Sequence, residues 1–256
     1  MKLYFASDVH LGAPTIIDHR THEKRFVDWL DAIKNDADEI YLLGDIFDYW
    51  FEYTTVVPKG FVRFLAKLCE ITEKGIKVHL FTGNHDVWMW DYLPTECGVV
   101  IHKQPISFEA DGKHFFIGHG DGLGHYDRGY NLLKWIFNWR VAQVCYSWLH
   151  PDLGGFIARI WSGSSRKHNA KVKKFHTFRG EDEHQVMFAR SYLAQGNKID
   201  YFIFGHRHVK ADYELEANGA RLLVLGEWMQ NSTYAVFCDG KLELKEFYDT
   251  KKGDAI

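Results

Sequence analysis

Five short stretches carry the residues that could do chemistry: Asp8-Val9-His10, Gly44-Asp45, Gly83-Asn84-His85-Asp86, Gly118-His119-Gly120-Asp121 and Gly205-His206-Arg207-His208. Each follows an apolar run of the kind that forms a strand. A strand hands its last side chains to one rim of a sheet, and in open α/β folds that rim is where ligands bind. Carboxylate, carboxamide and imidazole donors gathered at one rim can hold two divalent cations, and two cations close together are a device for phosphoryl transfer. Mixed N and O ligation suits Mn, Fe, Zn or Ni better than Ca or Mg, which take oxygen.

The ligand types suggest a division of labour. Asp8 and His10 are two residues apart, so in extended chain both side chains are expected on one side. Asp45 is the expected bridge, because a carboxylate has two oxygens. Asn84 offers a neutral carbonyl oxygen, and His119, His206 and His208 offer imidazoles. Asp48, Asp86 and Asp121 are expected to orient ligands rather than bind. Any one of these residues alone would more often be a cap or a surface group. The joint pattern, in one order and at predicted strand ends, is what carries the expectation.

The elements needed to position these groups can be read from periodicity. Apolar spacing predicts a helix over about 22–33 and another over about 59–74, stopped by Gly75. Strands are expected near 3–6, 39–43 and 77–81, giving a βαβαβ rhythm and a parallel sheet. Further short strands are expected near 99–101, 106–110, 114–118, 200–204, 210–216, 221–225, 233–238 and 241–247. Asp111-Gly112, Asn218-Gly219 and Asp239-Gly240 are turn signals, the last two strong hairpin signals. These later strands are expected to form a second, mixed or antiparallel sheet packed on the first, a layered α/β/β/α sandwich.

Residues 131–174 are helical in pattern and hold four of the nine tryptophans, Trp135, Trp139, Trp148 and Trp161. They carry eight basic residues against one acid, Asp152. Leu132, Leu133, Trp135, Ile136, Phe137, Trp139, Val141 and Val144 can form an apolar surface beside those charges. A lipid with a diphosphate head group would use both. The alternative is an ordinary helical hairpin with its aromatics in the core.

Composition excludes other classes. With 31 basic and 34 acidic residues in 256, nothing global points to nucleic acid. The four cysteines form no CxxC pair and read as reduced thiols in a cytoplasmic protein. No signal peptide fits the N-terminal strand, and no run is long and apolar enough to span a membrane.

The ordered set of motifs resembles the calcineurin-like metallophosphoesterases over nearly the whole chain. The resemblance implies one metallophosphoesterase domain over 1–256 with a helical insert at about 127–176. It implies a first metal held by Asp8, His10, Asp45 and His208, and a second by Asp45, Asn84, His119 and His206. The metals would be Mn2+, with Zn2+ or Fe as alternatives, and His85 and Asn84 would serve catalysis. A closer likeness runs through His119-Gly120-Asp121-Gly122-Leu123, Asp127, Gly129-Tyr130 and Leu225-Gly226-Glu227-Trp228. These stretches are similar to the bacterial UDP-2,3-diacylglucosamine diphosphatases of lipid A biosynthesis. That family implies a lid over the acyl chains of a lipid-linked nucleotide, and peripheral contact with the inner membrane. It also implies substrate contacts at Asp127, Tyr130, Ser165, Arg166, Asn169 and Lys171. One departure stands out: the best-known diphosphatases carry Arg where this chain has His85, the general form among calcineurin-like phosphoesterases and some relatives of the lipid A enzyme. The alternative substrate is therefore another phosphomonoester, phosphodiester or nucleotide. A catalytically silent binding module on the same fold is a third reading, disfavoured because every ligand position is filled.

Overall fold

The computed structural model describes residues 1–124, 134–171, 177–215 and 219–247, with the backbone alone for 161 and 163–171. Its first half alternates strands and helices: β1 (Leu3–Ala6), α1 (His19–Ile33), β2 (Glu39–Leu42), α2 (Val62–Glu73), β3 (Lys77–Phe81), α3 (Tyr92–Cys97) and β4 (Val100–His102). Then come β5 (Ile106–Ala110) and β6 (Lys113–Gly118), two helices α4 (Arg140–Ser147) and α5 (Pro151–Lys171), and α6 (His184–Ala194). The chain closes with β7 (Tyr201–Phe204), β8 (Lys210–Glu214), β9 (Arg221–Leu225), β10 (Thr233–Cys238) and β11 (Lys241–Glu246).

Two sheets form. The first has six strands in the order β11-β10-β1-β2-β3-β4, and the second has five in the order β5-β6-β7-β9-β8. β1 to β4 run parallel, as do β6, β7 and β9. Alternation along each strand feeds two cores. In β1, Leu3 and Phe5 face a layer between the sheets with Phe115, Ile203 and Phe237, while Tyr4 and Ala6 face helices α1 and α2 with Phe26, Trp29 and Leu68. A third core, with Phe202, Phe204, Val186 and Ala189, packs α6 on the outer face of the second sheet. The α/β/β/α layering expected from the pattern is therefore present.

The grouping of strands differs from the sequence expectation in one respect. The final hairpin and the strand near 100 belong to the first sheet, where β10 pairs antiparallel with β1 and β4 pairs parallel with β3. The physical reason lies in β10 itself. Ala235 and Phe237 are buried in the layer between the sheets and Val236 in the helix-side core, so the strand needs neighbours on both faces. The turns at Asp111-Gly112 and Asp239-Gly240 are two-residue hairpin turns with positive φ at both positions, 47° and 70°, then 51° and 74°.

Helix starts follow local chemistry. The Asp18 carboxylate accepts a hydrogen bond from the Thr21 backbone N–H at 3.0 Å and so caps α1 three residues earlier than periodicity alone suggested. All four cysteines are free thiols. No helix among the described residues is long and apolar enough to cross a membrane.

Candidate dimetal centre

The loops that leave β1, β2, β3, β6 and β7 meet at one end of the two sheets. They are joined by backbone bonds as well as by ligand side chains. Asp8 N–H donates to Gly44 O at 3.1 Å, His10 N–H to Asp45 O at 2.9 Å, and Gly205 N–H to His119 O at 2.9 Å. The Asp86 carboxylate accepts from the backbone N–H of Asp45, Ile46, Phe47 and Gly83, binding the β2 loop to the β3 loop. Burial, then the charge of Asp45, pushes the Asp86 carboxyl up to about 7.

Glycine is required where these loops touch. A Cβ at Gly83 would run into the Asp45 carboxylate, and one at Gly205 into the Asp8 carboxylate. Five candidate ligands sit in left-handed backbone: Asp8 at φ 55°, His10 at 51°, Asp45 at 52°, His206 at 69° and His208 at 53°. Such conformations are costly for residues with a side chain and gather at functional sites. The expectation that Asp8 and His10 share a face through strand alternation is corrected here. β1 ends at Ala6, and the two side chains converge through left-handed turns beyond it.

The side chains form two adjoining donor sets. In the first, His10 Nε2 lies 3.1 Å from His208 Nε2 and 3.7 Å from Asp45 Oδ2, and His208 Nε2 lies 3.2 Å from Asp8 Oδ1. In the second, Asp45 Oδ2 lies 3.4 Å from His119 Nε2, and Asn84 Oδ1 lies 3.2 Å from His119 Nε2 and 2.8 Å from His206 Nδ1. The same Asp45 oxygen faces both sets, so Asp45 stands between them. Spacings near 3 Å are the edge lengths of a coordination polyhedron with radius about 2.1 Å. Asp8, His10, Asp45 and His208 form one group that could hold an ion, and Asp45, His119 and His206 another.

The tautomers agree with that fit. A carbonyl oxygen only accepts, so His119 Nδ1, 2.8 Å from Leu43 O, carries the proton and leaves the Nε2 lone pair facing Asp45 and Asn84. His10 Nδ1 faces the Asp48 carboxylate at 3.3 Å, which frees its Nε2 in the same way. Burial would raise the Asp45 carboxyl, but His119, His85 and His10 hold it well below the usual carboxylate range. His119 responds in kind: burial lowers it, and Asp45 outweighs that, taking it up to about 10, so a cation binding at Nε2 must displace a proton there. Burial beside His119 drops His206 to about 4, so that ring is neutral and able to ligate.

His85 stands apart from the donors. Its Nδ1 donates to Asp48 O at 3.1 Å, and its ring meets His10 edge-on at 4.8 Å between centroids. The residue lines a cavity of about 320 Å3. Trp88, Ile136, Phe137, Tyr146 and Ile157 form the apolar wall of that cavity, and Asn84 its inner end. The roof is made by the helical turn at 134–138, by α4 and by α5. It is fastened by Trp88 Nε1–H to Phe137 O at 3.0 Å, Tyr146 Oη–H to Gly154 O at 2.7 Å and Ser162 Oγ–H to Asp48 Oδ2 at 3.1 Å.

Other expected residues fare differently. Asp127 and Tyr130 lie outside the described residues, as do the side chains of Ser165, Arg166, Asn169 and Lys171, whose backbone is in α5. Leu132 and Leu133 also lie outside. Of the apolar set, Ile136 and Phe137 line the cavity, while Trp135, Trp139, Val141 and Val144 are exposed on the outer surface. Asp121 binds Lys134 Nζ at 2.8 Å.

Sequence reasoning missed the groups that hold the ligand loops from behind. Gln185 Nε2 donates to Gly205 O at 3.0 Å, and the buried Glu183 accepts from Arg207 Nε at 2.7 Å. Both sit at the start of α6, beneath the β7 loop. No spacing rule links them to His206, so only an eye for buried acids next to Arg could have found Glu183.

The calcineurin-like phosphoesterase family matches residues 1–210, and the chain belongs to that family of metal-dependent phosphoester hydrolases. A protein of Porphyromonas gingivalis named UDP-2,3-diacylglucosamine hydrolase is 38% identical over 97% of this chain and 98% of its own length. One of the same name from Shewanella pealeana is 27% identical over 94% of this chain and 96% of its own. A solved archaeal phosphodiesterase covers 96% of this chain and 99% of its own at 15% identity and a TM-score of 0.49, a likeness that carries no argument about the site.

Proposed function

We propose that the chain hydrolyses the diphosphate of UDP-2,3-diacylglucosamine to 2,3-diacylglucosamine 1-phosphate and UMP. The carrying observation is the apolar cavity that begins at Asn84 and His85, beside the donor cluster, and runs under the helical roof. A diphosphate seated on the cluster would leave the acyl chains of its glucosamine facing Trp88, Phe137 and Tyr146. The names of the full-length relatives support the same substrate.

Asp8, His10, Asp45 and His208 would hold one cation, and Asp45, Asn84, His119 and His206 the other. Two divalent cations supply Lewis acidity there and lower the pKa of water in contact with them. The N and O donor mix supports Mn2+ among the candidates. His85 is positioned by the Asp48 carbonyl to offer Nε2 to a phosphate oxygen, where, as the imidazolium, it can stabilise charge or hand a proton to the leaving oxygen. Asp127, Tyr130, Ser165, Arg166, Asn169 and Lys171 are proposed contacts of the glucosamine and phosphates. The roof is proposed as a lid over the acyl chains, within one domain. Its outward Trp135, Trp139, Trp148, Phe156 and Ile160 support peripheral adsorption to the cytoplasmic face of a membrane, with Trp148 82% exposed.

The second reading, another phosphoester substrate, is favoured by His85 standing where the best-known diphosphatases carry Arg. The test is hydrolysis of UDP-2,3-diacylglucosamine with added Mn2+, against bis-p-nitrophenyl phosphate. Fast UMP release with weak turnover of the chromogenic diester supports the lipid substrate. Turnover of the diester alone sinks it and leaves the dimetal chemistry standing.

A further inference from the structure

A second cavity, of about 370 Å3, opens on the other side of α5. Its floor is Leu11 and Gly12, which directly follow His10, and it shares Asp48 and Tyr49 with the apolar cavity. Helix α5 roofs both. Ile157, Ala158 and Ser162 face the first cavity, whereas Asp152, Gly155 and Arg159 face the second, as their three- and four-residue spacings require. A tyrosine wedge divides the two: Tyr146 Oη lies 3.3 Å from Tyr49 Oη, and a Cβ at Gly154 would run into Tyr53 Oη.

The linings differ in chemistry. The second cavity has two cations, Lys59 and Arg159, with Tyr53 and Phe61 as aromatic surfaces. Neither cation has a carboxylate partner among the described residues. The cavity's two acids do not neutralise them: Asp48 faces His10 and Ser162, and Asp152 is nearly fully exposed. Unpaired cations flanking a cavity of small-molecule size fit an anionic ligand with a flat ring.

In-line displacement at phosphorus places the entering and leaving groups on opposite sides. The half that keeps the attacked phosphorus is an equatorial substituent, off the axis along which the other half leaves, so the two halves can occupy separate cavities. We infer that the cavity of Lys59, Arg159, Tyr53 and Phe61 binds the nucleoside monophosphate half, with the cations on its phosphate and an aromatic ring on its base. This deepens the proposed function and rests on it for the identity of the other half.

The test is calorimetric titration of the Mn2+-loaded protein with three probes: UMP, inorganic phosphate and dodecyl phosphate. Wild type is compared with Lys59→Met, Arg159→Met and the double variant, all at exposed positions where the fold does not depend on the charge. Wild type is expected to bind UMP at least about tenfold tighter than phosphate, and each substitution to weaken UMP about tenfold. Dodecyl phosphate affinity should stay unchanged, because that probe belongs to the apolar cavity. UMP binding no tighter than phosphate, or equal in wild type and the double variant, overturns the assignment. Dodecyl phosphate binding no tighter than phosphate, with the UMP result intact, counts instead against the acyl-chain reading and leaves the nucleotide cavity standing.

Discussion

The cradle of donor loops and the helical roof are built on opposite principles. The cradle is buried, bound loop to loop through backbone N–H and C=O groups, and closed by glycines that admit no side chain. The roof touches the rest through a few side-chain bonds and leaves much of its apolar surface in solvent, Trp135 61% and Phe156 56% exposed. The contrast teaches where precision is needed. Phosphoryl transfer tolerates little displacement of its donors, whereas recognition of a flexible chain needs area and little geometry. A cradle defect should therefore damage turnover of every substrate, and a roof defect should damage only the large one.

The largest effect tests the cradle. Asp45→Asn or His119→Ala should lower turnover of both lipid and chromogenic substrates by about 10³-fold or more while leaving the circular dichroism spectrum unchanged. Near-wild-type rates in either variant would break the dimetal assignment.

Next is the support behind the cradle. Glu183→Gln removes the buried carboxylate that pairs with Arg207 and Arg179 and should destabilise the fold by about 3–5 kcal/mol at neutral pH, read from denaturant unfolding. Burial would raise the Glu183 carboxyl, but Arg179 and Arg207 hold it below its usual value. A lowered folded-state pKa gives stabilisation that is present above the ordinary carboxylate range and lost as pH falls through the folded value. The difference between wild type and variant should therefore shrink in acid; a constant difference would exclude the charge pair as its source.

The roof comes third. Gly154→Val drives a side chain into Tyr53 and should lift α5. Turnover of the lipid should fall about 10–100-fold and that of bis-p-nitrophenyl phosphate by less than about threefold. Equal losses would mean that roof and cradle are one mechanical unit. The smallest effect sharpens that last point. Ser162→Ala removes a hydrogen bond from α5 to Asp48, worth about 1 kcal/mol, and should slow lipid turnover about fivefold with the small diester unaffected.

The same contrast governs what the sequence reveals. The gathering of the candidate donors was legible because each lies within a few residues of an apolar run, so Asp8, His10, Asp45, Asn84, His119, His206 and His208 stand out by local spacing. Their left-handed backbone was not, since φ depends on what each loop must avoid: Asp45 beside Gly83, Asp8 beside Gly205. The layer architecture followed from strand and helix periods. The placement of β10 did not, because pairing with β1 is a contact across more than 230 residues that leaves no local mark. Gln185, Glu183 and Ser162 were silent for the same reason, each acting on a loop far away in the chain.

The pairing of β1 with β10 also sets a timetable. Asp8 leaves the ribosome well before its partners, because its carboxylate accepts from His206 N–H, 198 residues later, and its carbonyl from Trp228 N–H. The strand before it has no antiparallel neighbour until Ala235 has been made. Loop-closure entropy over such a span must be met before any donor set is complete. During synthesis the emerging chain therefore carries incomplete donor sets, and any loading with metal must await the pairing of the β10–β11 hairpin with β1.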